Sequence, residues 1–258
     1  MSESSGITTV RSTAVSATEA GSLEAGLGGN YHFELGEVLH EAWVKTKGAK
    51  GTFVLALVLY MVVFIAADAV LSFAGLGQSW GEEAKYDFSF WLGSLIQLAV
   101  VTPMVAGFWI MGIRRAGGME IRPTTIFDYY KQWLPIFFLT LMLYVLVAVG
   151  FVLLVIPGLY LAIGYCLALP LVVEKGMEPW EALETSRKTV THRWLAFFGL
   201  FIVLFVINLA TIFTLFIGLI WTIPMSQIAA GILYRRVFGI LPDTLQEKNA
   251  RANVQAGE

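Results

Sequence analysis

The segment Ile156–Phe198 reads IPGLYLAIGYCLALPLVVEKGMEPWEALETSRKTVTHRWLAFF. An apolar stretch opens at Pro157-Gly158 and stops at Glu174-Lys175-Gly176. A charged amphipathic segment follows, and the chain turns apolar again at Trp194. A water-soluble core has no place for that order. A bilayer does, because the order is membrane, surface, membrane. Composition agrees: 57% of the 258 residues are hydrophobic and 14% are charged, against about 25% charged in an ordinary soluble domain. The mean hydropathy is +0.71.

Six spans are expected, at about Thr52–Phe73, Phe90–Ile113, Leu134–Ile156, Gly158–Val173, Trp194–Ile217 and Gly218–Phe238. Roughly 20 helical residues cross a hydrocarbon core of about 30 Å. The fourth span is the shortest, which implies a kink or a locally thinned bilayer. Pro157-Gly158 separates the third span from the fourth, since proline removes a donor and glycine permits a reversal. Ile217-Gly218 divides the fifth from the sixth with a single glycine.

Basic residues orient these spans. Fifteen of them fall on one side: Lys45, Lys47, Lys50, Arg114, Arg115, Arg122, Lys131, Lys175, Arg187, Lys188, Arg193, Arg235, Arg236, Lys248 and Arg251. Setting aside Arg11 on the N-terminal tail, the other side holds Lys85, in the acidic loop SWGEEAKYD. Basic loops stay in the cytosol, so both termini are expected there, in an all-α bundle of the inner (cytoplasmic) membrane. A net charge of −2 argues against a nucleic-acid partner. Membrane lipids are the expected partners, beside a protein partner or a second copy of the chain.

Residues 1–30 are rich in Ser, Thr, Ala and Gly and are expected to form a disordered tail. Residues 31–240 form the membrane domain, and residues 241–258 a flexible C-terminal tail.

A cytoplasmic segment precedes each odd-numbered span. In the first, Leu35, Val38, Leu39 and Ala42 share a helical face. In the second, Ile126, Tyr130 and Trp133 do. In the third, Trp180, Leu183, Arg187, Val190 and Trp194 align. Each is expected to lie as an amphipathic helix in the membrane interface. The even spans also resemble one another. Pro103-Met104 leads to Arg114-Arg115, and Pro224-Met225 leads at the same interval to Arg235-Arg236. Gly118-Met119-Glu120 recurs as Gly176-Met177-Glu178, and the fourth span carries Pro170 without an arginine pair. Three copies of one unit are inferred: surface helix, span, turn, and a span with a proline.

The stretch Ile156–Phe198, through Pro157, Gly158, Pro170, Ala182 and Ser186, resembles the signature region of YciC-like families of bacterial membrane proteins. It is also similar to the membrane domain fused to some glycerophosphodiester phosphodiesterases. The resemblance implies a six-span cytoplasmic-membrane protein and brings no catalytic residues. The soluble phosphodiesterase domain is absent, so that activity does not carry over.

No catalytic, cofactor or metal-ligating constellation is expected. Asp68 is the one acid within a span, and an intramembrane carboxylate marks a functional site by default. Gln97, Asn208 and Gln227 are polar residues of the kind that join helices. Glu37 and His40 have the E-x-x-H spacing of di-iron bundles, but the pattern occurs once and reads as a solvated face. Ser186 lacks an adjacent base and reads as a helix-surface residue. The lone Cys166 reads as a small hydrophobe. The expected function is therefore non-enzymatic: organising or adapting to the membrane, or holding partners through the cytoplasmic helices. The alternative is a small-solute or lipid transporter with a polar path near Asp68, Asn208 and Gln227.

Overall fold

The computed structural model describes residues 21–77 and 87–244. No strand occurs among the described residues. In order the α-helices are α1 (Leu23–Leu27), α2 (Leu35–Thr46), α3 (Lys50–Phe73), α4 (Phe88–Ala116) and α5 (Trp133–Leu153), then α6 (Val155–Gly164), α7 (Ala168–Lys175), α8 (Pro179–Thr191), α9 (Trp194–Ala210) and α10 (Leu219–Phe238). Five helical stretches are long and apolar enough to cross a membrane: Lys50–Phe73, Phe88–Ala116, Pro123–Leu153, Val155–Lys175 and Trp194–Thr214. The chain is thus an all-α, multi-pass membrane protein. The last helix, α10, falls outside that set, since it carries Thr222, Ser226, Gln227 and an arginine pair.

Several boundaries move from their expected places. The reversal between α5 and α6 sits on extended Leu154 (φ −165, ψ 156), not on Pro157-Gly158. Those two residues fall in the first turn of α6, where the missing proline N–H removes a donor that a helix start leaves open. Gly158 is spent instead on contact, since an added Cβ would strike the Phe151 ring. The reversal after α9 sits on Leu215 (φ 49) and Phe216 (φ 64), two left-handed non-glycine residues, rather than on Ile217-Gly218. The fourth span is kinked, because α6 gives out at Gly164 and α7 begins at Ala168. The second surface element is not an α-helix but two 3₁₀ turns, Pro123–Phe127 and Tyr130–Gln132.

The tails also shorten. Residues 21–30 do not belong to a disordered tail. Ser22 caps α1 by accepting from the Ala25 amide at 3.0 Å, and Gly26 lies under the Phe238 ring with no room for a Cβ. Composition hid this because the anchor is supplied by α10, far along the chain. At the other end the Leu241 amide is bonded to Glu174, so the flexible tail does not begin at 241. Residues 1–20 and 245–258 lie outside the described residues.

The inferred threefold repeat acquires a geometry. The second halves of α4 and α10, together with α7, supply most of the buried centre, and all three carry a buried proline: Pro103, Pro170 and Pro224. Each of these inner helices gives out at a glycine with positive φ: Gly118 (82), Gly176 (67) and Gly239 (68). Each glycine is followed by a proline, Pro123, Pro179 or Pro242, that opens the next helical turn. Proline at a helix start and left-handed glycine past a helix end are the low-cost choices at those positions.

The units close into a ring. The 3₁₀ turn at Pro123–Phe127 packs on α4, the inner helix of the unit before it. In the same way α8 packs on α7, and α2, first in the chain, packs on α10, the last inner helix. Of the inner helices, α4 and α10 meet backbone to backbone. A Cβ at Gly231 would collide with the Gly112 backbone, and one at Gly112 with the Gln227 carbonyl.

The surface helices therefore spend their apolar faces on protein. Val38 and Ala42 of α2, and Leu183 and Val190 of α8, are buried. The apolar surface left for lipid belongs mainly to α3, the first half of α4, α5, α9 and the hairpin tips.

Candidate functional site

The densest polar constellation lies where α2 meets the ends of α4 and α10. Glu37, Glu41 and Lys45 recur every four residues along α2, which puts them in one stripe. Arg114-Arg115 close α4, and Arg235-Arg236 close α10, at the negative end of each helix dipole. Arg235 donates to Glu41 (2.9 Å) and to the Ala116 carbonyl. Lys45 donates to that same carbonyl at 2.6 Å and pairs with Glu41 at 3.3 Å. Arg236 pairs with Glu37 at 2.7 Å and reaches Glu41 at 3.5 Å. Arg115 donates to the carbonyls of Lys45 (2.8 Å) and Lys47 (2.6 Å). Three cations thus compete for two carboxylates, and the end of α4 absorbs the surplus charge.

Protonation follows from this geometry. The hydrogen bond and charge of Arg236 hold the Glu37 carboxyl below its ordinary range. Burial lowers the Lys45 ammonium pKa, with the Glu41 charge opposing that shift. Burial also pushes the Tyr31 phenol up to about 12, and its hydroxyl donates to the Thr189 carbonyl at 2.7 Å. That bond ties the segment before α2 to α8.

Two further fasteners close the other joints. The Glu174 side chain is fully buried at the end of α7. It accepts from the Tyr234 hydroxyl at 2.8 Å, from the Leu241 amide and from Thr244 at 3.3 Å, with the Lys175 ammonium at 3.4 Å. Ser186 of α8 is buried too. It donates to the Gly164 carbonyl at 2.7 Å and accepts from the Leu167 amide at 3.1 Å. The serine read as a surface residue is therefore the bolt across the α6–α7 break, where both backbone groups lack a helical partner.

No family model, curated protein or solved structure matches the chain. The functional reading rests on the geometry.

The residues singled out in the sequence separate. The Asn208 amide donates to Ser226 at 2.9 Å and to the Leu204 carbonyl at 2.8 Å, and its oxygen accepts from Thr222 at 2.8 Å. It joins α9 to α10. Gln227 follows Ser226 directly, and its main-chain carbonyl abuts Gly112. Gln97 donates to the Phe64 carbonyl at 3.1 Å and joins α4 to α3. Asp68 is half-buried on α3 and hydrogen-bonds to neither Asn208 nor Gln227. The polar path drawn through these residues is not a connected network among the described residues. Glu37 and His40 are both exposed, as a solvated face requires, and Glu37 also pairs with Arg236.

Sequence reasoning missed Glu174, Ser186 and the pairing of Glu41 with Arg235. A faint signal existed for the last. Acids spaced by four on an amphipathic helix need cations, and the arginine pairs were the surplus ones.

Proposed function

We propose that the chain is a non-enzymatic protein of the bacterial inner membrane that organises the bilayer around a rigid cytoplasmic base. It carries six apolar segments as three hairpins, α3–α4, α5–α6/α7 and α9–α10, with both termini in the cytosol. The fifteen-to-one bias of basic residues supports that orientation. The likeness of Ile156–Phe198 to YciC-like families fits the same reading.

The observation that carries the proposal is the closed ring of clamps. Charged and hydrogen-bonded groups are committed to holding the hairpins together, and apolar surface is what the hairpins offer outward. Such a body acts on lipid by shape and hydrophobic area rather than by chemistry. Exposed Trp43 of α2 and Trp180 of α8 are aromatic anchors suited to headgroups or to a protein partner.

Reconstitution at graded protein-to-lipid ratios tests this. Vesicle diameter in cryo-electron micrographs should fall as protein rises, equally for the native chain and for Asp68→Asn. Unchanged vesicles together with a solute flux that Asp68→Asn abolishes would replace organisation with transport.

A further inference from the structure

Two of the three hairpins end in turns unsuited to water. The α5–α6 turn is Val152-Leu153-Leu154-Val155-Ile156, without a polar side chain, and Val152 and Ile156 are 86% and 80% exposed. The α9–α10 turn carries Phe213 and Leu215 at 91% and 82% exposure. The α3–α4 connection is of another kind, for it holds Glu82, Glu83, Lys85 and Asp87.

The α9–α10 turn also satisfies its own backbone. Every amide from Leu215 to Thr222 donates within the turn, including Phe216 to the Thr211 carbonyl (2.9 Å) and Gly218 to the Thr214 hydroxyl (3.2 Å). The Thr211 and Thr214 hydroxyls donate to the Asn208 and Thr211 carbonyls. The α5–α6 turn is less complete: Leu154 donates to the Gly150 carbonyl at 3.1 Å and Gly158 to the Leu154 carbonyl at 3.3 Å, Pro157 has no N–H, and the Val155 and Ile156 amides find no acceptor within the turn. The internal satisfaction of the α9–α10 turn is what hydrocarbon demands and water does not.

Reach decides where these turns stop. Tyr160, in the middle of α6, bonds through its hydroxyl to Thr191 at 2.7 Å, and its carbonyl accepts from the Trp194 indole at 3.3 Å. Both partners flank exposed His192 and adjoin Arg193, a charged stretch that must sit among headgroups or in water. From Tyr160 back to Leu154 the helix extends about 9 Å, whatever its tilt. A crossing needs about 30 Å. The second tip is tethered through α10 rather than α9, so that α9, 17 residues or about 26 Å long from Trp194, runs strongly tilted. Lys50, at the cytoplasmic start of α3, lies 4.8 Å from the Trp221 ring, and Phe216, five residues from Trp221, is within about 18 Å of it even for a fully extended chain.

Building on the membrane reading above, we infer that the α5–α6 and α9–α10 turns end within the acyl chains of the bilayer, and that α3–α4 alone crosses it. Six full crossings become two. The paired hairpins then occupy mainly the cytoplasmic leaflet and widen it relative to the other, which gives the organising role a direction.

Single-cysteine chains with Cys166→Ala test this in sealed vesicles of both orientations. Leu154→Cys and Phe213→Cys should lose all labelling by an impermeant maleimide from either face, while Lys85→Cys labels from outside and His40→Cys from inside. Nitroxides at 154 and 213 should collide with oxygen more than with a water-soluble nickel chelate. Labelling of 154 and 213 from outside along with Lys85→Cys would overturn the inference and keep the topology. Shielding from both quenchers would also overturn it, with a second copy covering the tips. Labelling of Lys85→Cys from the cytoplasmic face would sink the topology itself.

Discussion

Arg235 and Glu41 lie 2.9 Å apart and close the ring between the second helix and the last. The arginine side chain is 7% exposed and the glutamate 23%. Removing one partner of a fully buried pair costs about 3–5 kcal/mol. Water reaches Glu41, so Arg235→Met should cost about 2–3 kcal/mol. The midpoint of thermal unfolding in detergent reads the loss. Pairing it with Glu41→Leu should cost less than the two single losses summed, because the Arg235–Glu41 interaction can be lost only once, while Lys45 gives up its carboxylate in either Glu41 variant. A double variant as unstable as the summed single variants would show that the pair is not coupled.

The crossing of α4 and α10 at Gly112 and Gly231 sets a second test. A methyl group at Gly231 has the Gly112 backbone, not a movable side chain, in its way. The helices must part, and overpacking of this kind costs about 1–3 kcal/mol. Gly231→Ala should therefore lower the unfolding midpoint. Gly36→Ala in α2 is the control, since nothing lies within 4 Å of its added Cβ. Better helix propensity should stabilise that variant slightly, by about 0.5 kcal/mol or less at the second residue of the helix. Equal effects at the two glycines would contradict the close crossing.

Much of the fold was legible because periodicity and charge are local. The starts of α3, α5 and α9, the faces of α2 and α8, and the match of Pro103 with Pro224 are all written in neighbouring residues. What escaped depends on distance. Residues 21–30 look like linker until Phe238 covers Gly26. Pro157-Gly158 looks like a turn, and the turn falls on Leu154 because proline is tolerated in the first turn of a helix. Leu215 and Phe216 carry no turn signature at all. Their left-handed backbone costs roughly 1–2 kcal/mol each and is held by the hydrogen bonds around it. The candidate site was less legible than the fold, because Glu41, Glu174 and Ser186 find their partners far along the chain or across a helix break.

Ser186 sets a third test. Its hydroxyl serves both the Gly164 carbonyl and the Leu167 amide. Ser186→Ala leaves both backbone groups unpaired in a buried place, at about 1–3 kcal/mol for each group. The damage should be local. Hydrogen exchange at Leu167 should speed up markedly while the amides of α4 keep their protection. Uniform acceleration through the bundle would mean that the break is not an independent joint.

Acid sets the fourth. Arg236 depresses the Glu37 pKa through a hydrogen bond and its charge, and Arg187 depresses that of Glu184, chiefly through a hydrogen bond. A carboxyl whose pKa is lower in the folded state adds stability that is complete above its unfolded value. That stability is lost as pH falls through the folded value. Unfolded glutamate titrates near ~4.3. The Arg236–Glu37 clamp and the Arg187–Glu184 pair within α8 should therefore hold steadily from neutral pH down to about that value and weaken below it. Both carboxylates are partly open to solvent, so added salt should shrink the effect. Thermal midpoints in detergent across pH 3–7 would trace it, and Glu37→Gln with Glu184→Gln should flatten the acid limb. An acid limb unchanged in that double variant would assign the loss to other carboxylates.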